Sequence, residues 1–263
     1  MELNITKCKV VYYAKRSMIE NKYYVTDEGE SRYFERVENM KDFGVMFDSE
    51  LDCQAHIHEK VNKAYSMPGV MKRNFLQLNR ETFVDLYKAI VIPHIECANS
   101  VSSPVKLIDI KAVEKVQMRA TKLVIGLKNL PYCKCLRKLK LPTLKYRRLR
   151  GDVIEVYKIL TRQNDANVSL KLILNQTKAI RGRDYKLLHK SFHCDLRKYS
   201  FSCRIVNVWN SLPQHVEASN TNIFKTCLDK FWSDQDCKYL WKANLSGTGN
   251  RSEVLCNYDD VAN

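Results

Sequence analysis

Glycine (8) and proline (6) are scarce in these 263 residues. That scarcity argues against an all-β sandwich, which needs many tight turns, and against a low-complexity chain. There are ten cysteines, but no C-x-x-C and a single C-x-C at Cys133 and Cys135. This scatter fits a reducing compartment with free thiols, so an intracellular location, nuclear or cytoplasmic, is expected. The N-terminus lacks the apolar core of a signal peptide, and no apolar run approaches the length of a membrane span, so no membrane partner is expected. No glycine loop of the Walker or dinucleotide type occurs.

Clustered carboxylates are missing as well. A two-metal polymerase or nuclease needs them, yet the one Asp-Asp pair is Asp259-Asp260 in a polar tail. Asp48, Glu50 and Asp52 alternate between a strand-like and a helix-like stretch, where turn and cap roles are commoner than catalysis. His189, His193, Cys194 and Cys203 match no standard zinc spacing and read as unligated side chains. Cys133 and Cys135 sit among cations without an evident partner base, so no nucleophilic role is assigned to them. No catalytic residue, metal ligand or cofactor is assigned.

Positive charge is abundant, and it is local. The chain carries a net +15, and residues 111–150 hold thirteen Lys or Arg against one acid, Glu114. The first sixty residues are slightly acidic, with twelve acids and nine bases. A concentrated basic field over partly helical sequence points to a polyanion, nucleic acid first, against the simpler reading of a solvated helix face.

Periodicity places that charge on helices. Residues 1–52 read as a small β element, with runs at Cys8–Tyr13, at Lys22–Val25 before Asp27-Glu28-Gly29, and at Met40–Phe47, where Gly44 suggests a bulge. Asp48 and Asp52 are cap candidates for the helix that begins near residue 53. Residues 53–161 read as a basic helical domain. Ile57, Val61, Ala64, Tyr65, Met71 and Phe75 form its first stripe, which Pro68 is expected to kink or break. Asn79 is the cap of a second helix, ended by Pro93. Asp109 caps a third that stops near Gly126, with Lys111, Lys115, Arg119 and Lys122 facing away from Val113, Val116 and Ala120. A helix from Leu144 to about Thr161 opens with Lys145, Arg147, Arg148 and Arg150, against the preference of the helix dipole. Basic faces on consecutive helices would line a groove. Residues 162–198 read as a linker, 199–241 as a small helical unit around Tyr199, Phe201, Ile205, Trp209, Phe224 and Trp232, and 242–263 as a disordered tail. The fold class is therefore mainly α with a small N-terminal β element: a helical bundle followed by a smaller C-terminal helical unit.

A set of ordered segments carries a resemblance. They are LNITKCKV at 3–10, KDFGVMFD at 41–48, HIHEKVNKA at 56–64, PHIECA at 93–98 and LIDIKAVEKVQMRATKLVIGL at 107–127. LPTLKYRRLRGD at 141–152, RKYSF at 197–201, NVWNSLP at 207–213 and Phe224-Lys225 continue it. In this order they resemble the C-terminal part of the reverse transcriptase of a jockey-like non-LTR retrotransposon (LINE). The resemblance implies the end of a polymerase palm near Cys8, a primer-grip strand at Phe43 and Gly44, a thumb over residues 53–127, and a region beyond the polymerase after it. It also implies departures. The family's Tyr-x-Asp-Asp box would precede Met1, so a truncated polymerase, inactive alone, is expected, without the aspartates through which the family holds Mg2+. Ile92, Cys97 and Ser102 stand where the family usually has Arg, Tyr and Trp.

The expected function is that of a truncated RNA-directed DNA polymerase that retains a basic, thumb-like surface. RNA or an RNA–DNA hybrid would be its sequence-tolerant partner, held at phosphates by Lys115, Arg119, Lys122, Lys145, Arg147, Arg148 and Arg150. The alternatives are a helical module that binds a protein through exposed apolar surface, and a retroelement relic without function.

Overall fold

The helical period that begins at residue 53 becomes a 21-residue helix, α1 (Gln54–Asn74), in the structure, a computed structural model. It describes residues 7–13, 21–27, 30–75, 78–165, 168–175, 185–213 and 220–247. Leu3 to Thr6, Glu28-Gly29 and Asp259-Asp260 lie outside the described residues. About 50% of the described residues are helix and 9% strand, which makes the fold mainly α with small β elements at the N-terminus. The chain divides into two compact units, residues 1–144 and 145–263.

In the first unit the strands form three two-stranded pairs. β1 (Lys9–Val10) runs parallel to β4 (Glu35–Arg36), and β2 (Tyr24–Asp27) pairs antiparallel with β3 (Glu30–Tyr33). β5 (Asn39–Asp42) and β6 (Val45–Asp48) form a second antiparallel hairpin with Asp42 opposite Val45. The run at 40–47 is thus no single strand with a bulge. Gly44 sits in a two-residue turn.

α1 buries Ile57, Ala64, Pro68 and Met71 on one face, and it does not break at Pro68. A proline inside a helix costs about 3 kcal/mol, because it removes one N–H and crowds the carbonyl four residues back. Here that residue is Ala64, the ring is buried on the core face, and the Ser66 hydroxyl donates to the Lys63 carbonyl at 2.7 Å. Burial of the ring offsets part of the cost.

Asn79 caps α2 (Arg80–Leu86), its side chain accepting from the Thr82 N–H at 2.8 Å. The helix then widens into a π turn over Tyr87–Val91 and resumes as α3 (Ile92–Ile95), which contains Pro93. The Ile92 N–H reaches five residues back to the Tyr87 carbonyl. That wider turn carries the chain past a residue that cannot join the ordinary ladder, so Pro93 does not end the helix.

α4 (Leu107–Thr121) starts before Asp109 and ends well before Gly126. Its inward face carries Val113, Val116 and Ala120, together with buried Asp109, Glu114, Gln117 and Thr121. α5 (Tyr132–Leu139) stops at Lys140, which takes the left-handed conformation that glycine usually supplies.

The second unit is built on α6 (Leu144–Leu160). Tyr146, Val153, Val156 and Tyr157 pack with Ile205, Trp209, Phe224, Leu228 and Trp232. The last five come from the segment holding α7 (Asp195–Lys198), α8 (Phe201–Arg204) and α9 (Val206–Asn210), and from α10 (Thr221–Phe231) with its C-cap. Tyr157 stacks on Phe224 at 4.2 Å, and the Trp209 indole donates to the Tyr185 carbonyl at 2.8 Å. α6 therefore shares its core with the C-terminal helices, although the sequence groups it with residues 53–161. Leu187 of the linker-like stretch and Ala243 and Leu245 of the tail-like stretch are buried in the same core.

Candidate nucleic-acid interface

A two-residue hairpin loop needs positive φ at both central residues, which is why Asn-Gly is the usual pair. Here the pair is Phe43, with φ 44°, and Gly44, with φ 81°. A left-handed Phe costs about 1–2 kcal/mol. Its ring recovers nothing, because Phe43 is fully exposed at 101%. Strain at an uncovered aromatic is the kind of feature that accompanies function.

The loop is aimed from α1. The Met46 N–H donates to His56 Nδ1 at 3.2 Å, while Lys41 Nζ and Lys63 Nζ reach Glu59 Oε1 at 3.3 and 2.7 Å. Lys63, with Lys41, holds the Glu59 carboxyl down at about 2. His56 is buried, and burial followed by the Lys60 charge lowers its pKa, so the ring stays neutral and can accept from Met46.

On α4 the cations Lys111, Lys115 and Arg119 recur every four residues and are all exposed. With a rise of about 1.5 Å per residue the row covers roughly 12 Å, a length comparable to a few phosphates of one strand. Arg119 lies over the Tyr65 ring at 4.7 Å, which fixes its direction without burying it. Lys122 is different: it is half-buried and its Nζ donates to the Leu130 carbonyl, which holds the 122–130 loop. α5 adds exposed Lys134, Arg137 and Lys138. The helix is docked on α4 by the Tyr132 hydroxyl, which lies 2.7 Å from Glu114 Oε2 and 3.0 Å from Gln117 Oε1. Burial, then the Glu114 charge, pushes the Tyr132 pKa far up. Sequence reasoning misses Lys111 and the α5 cations as phosphate contacts. The signal for Lys111 is its place in the same four-residue row.

The second unit holds the other basic cluster, at the start of α6, and much of it is engaged internally. Lys145 Nζ donates to the Ala243 carbonyl at 3.0 Å and to Asn244 Oδ1 at 2.6 Å. Arg150 grips both oxygens of Asp229, at 2.6 and 2.8 Å. Arg204 pairs with buried Asp152 at 3.0 Å, while burial pushes the Asp152 carboxyl up to about 6 in spite of Arg204 and Arg148. Arg147 and Arg148 are half-buried. Cations at a helix N-terminus, unfavourable for the dipole, serve here to fasten the C-terminal segment and α10. Lys115 and Arg119 thus belong to the first unit and the α6 cluster to the second.

Among the described residues no helix is long and apolar enough to cross a membrane. No three His, Cys, Asp or Glu side chains among them stand together to hold a metal ion, His189, His193, Cys194 and Cys203 included. Comparison with family models, curated proteins and solved structures gives no match.

Proposed function

We propose that this chain is part of an RNA-directed DNA polymerase of the non-LTR retrotransposon kind, and that it holds a template–primer duplex of RNA and DNA by phosphate contacts. The observation that carries the reading is in the first unit: a strained, uncovered Phe43 fixed to α1, with an exposed row of cations on α4. A phosphate clamp needs cations on a rigid helix, and an aromatic ring at a fixed loop tip suits stacking on the end of a primer. Lys111, Lys115 and Arg119 are the leading phosphate contacts, with Lys134 and Lys138 beside them. Lys122, Lys145 and Arg150 act first in stability. The proposal is confined to binding and includes no nucleotide addition.

Fluorescence anisotropy with single-stranded RNA, duplex DNA and an RNA–DNA hybrid, at about 50 and 200 mM salt, tests it. Tightest binding to the hybrid, with a steep salt dependence, supports the reading. Equal weak binding to all three contradicts it.

One observation favours a protein partner instead. Leu107 and Ile108, at the first turn of α4, are 72% and 73% exposed. Contact through such a patch would persist at high salt, whereas phosphate contacts would not.

A further inference from the structure

The β elements of the first unit enclose a second feature, unrelated to the cations of α4. Between the β1–β4 pair and the β2–β3 hairpin lies a cleft with about 540 Å³ of open space. That lies within the ~300–1,000 Å³ usual for small-ligand sites. Its walls are aromatic, made by Tyr12, Tyr23, Tyr33 and Phe34, and its charged members are Lys22 and Arg36. No acidic side chain lines it among the described residues.

The backbone holds these rings at set positions. The Phe34 N–H donates to the Tyr23 carbonyl at 2.9 Å, and the Val37 N–H to the Val10 carbonyl at 3.0 Å. These bonds tie the 33–36 segment to both neighbours. Tyr12 and Tyr23 stand 6.2 Å apart at 44°, the Tyr12 hydroxyl donates to the Asn21 carbonyl, and the Arg36 guanidinium lies 4.6 Å over the Tyr12 ring. Tyr33 is 66% and Tyr23 49% exposed. Tyr33 also packs on its cross-strand partner Tyr24, at 5.7 Å and 59°, and stays largely exposed there, so the two sheet fragments present partly uncovered rings next to two cations.

We infer that this cleft binds an unpaired nucleotide within a single strand, stacking its base against Tyr23 and Tyr33 and its phosphate against Arg36 and Lys22. Aromatic platforms flanked by Lys and Arg bind single strands with little sequence preference, because every base offers a π face. The occupant is expected to carry negative charge, since the two charged members of the lining, Lys22 and Arg36, are both cations. It must also carry a flat ring, since four of the walls are aromatic. A strand meets both needs, whereas an acidic peptide meets the first alone. The site does not depend on the duplex reading above.

The test uses the full chain and a short single-stranded oligonucleotide bearing a photoreactive pyrimidine. Irradiation should crosslink the strand to Tyr12, Tyr23, Tyr33 or Phe34, located by peptide mass spectrometry. Tyr33→Ser and Arg36→Gln, both at exposed positions, should weaken single-strand binding and leave blunt-duplex binding unchanged, Tyr33→Ser by about 5- to 100-fold, the range of one lost stack, and Arg36→Gln with a loss of about 0.7 in the salt slope, the share of one phosphate contact. Crosslinks confined to other segments, or variants that bind like the parent, overturn the inference. So does equal affinity for the mononucleotide and the strand, or displacement of the strand by an acidic peptide. Single-strand binding that survives while hybrid binding fails removes the duplex reading only, and the reverse result removes this one only.

Discussion

Tyr132→Phe tests the link that carries α5 on α4. Glu114 and Gln117 are both fully buried, and the phenol has one proton to place between Glu114 at 2.7 Å and Gln117 at 3.0 Å. A hydrogen bond to a charged group contributes about 1.5–3 kcal/mol, and one between neutral groups about 0.5–1.5. Removing the hydroxyl should therefore cost about 2 kcal/mol. For a unit of this size that lowers the melting temperature by roughly 6–8 °C. The same substitution in a Glu114→Gln background should cost about 1 kcal/mol, leaving a coupling of about 1 kcal/mol between the two side chains. The three tryptophans, Trp209, Trp232 and Trp241, all belong to the second unit. Indole emission thus follows that unit, and far-UV circular dichroism adds the first. The Tyr132 variant should shift the dichroism transition. Equal cost in both backgrounds would refute the pairing of Tyr132 with a charged Glu114.

The same geometry sets three further outcomes. His56 has its folded pKa lowered, so the unfolded state takes up the proton first as pH falls. Its contribution is complete above about 6.5 and is lost as pH drops below that value, so the melting temperature should fall between pH 7.5 and 5, and less so in His56→Gln; a rise towards pH 5 would contradict this. Phe43→Asn places the favoured pair in the turn and should stabilise the first unit by about 1 kcal/mol while weakening hybrid binding several-fold; a loss of stability in thermal melts would refute the strain at this position. Arg150→Ala removes a partly exposed bidentate pair and should lower the stability of the second unit by about 1 kcal/mol, read by indole emission, with no change in the salt dependence of binding.

How much of the fold is legible in the sequence varies by element. The Asn79 cap, the apolar faces of α1 and α4 and the Phe224–Trp232 stripe are legible, because cap chemistry and helical period are local properties. Pro68 and Pro93 mislead for the opposite reason. Their local cost is real, but burial of the Pro68 ring and the π turn before Pro93 are set by tertiary packing. The 40–47 run looks like a single strand because Phe-Gly is not a usual turn pair, so nothing local announces the hairpin. The phosphate candidates show the same limit. Spacing tells which cations face away from an apolar stripe, as it does for Lys115 and Arg119. It cannot tell that Lys145 meets Asn244 or that Arg150 meets Asp229, partners 99 and 79 residues away.

The central claim is that the exposed row on α4 holds a duplex by its phosphates. The most direct test compares the full chain with a Lys111→Gln, Lys115→Gln, Arg119→Gln variant, binding an RNA–DNA hybrid over a series of salt concentrations. Each duplex phosphate contact contributes about 0.9 to the slope of log affinity against log salt. The variant should lose between two and three units of slope, and about 100-fold in affinity near 0.15 M salt. An unchanged slope, with the variant still folded, would contradict the account.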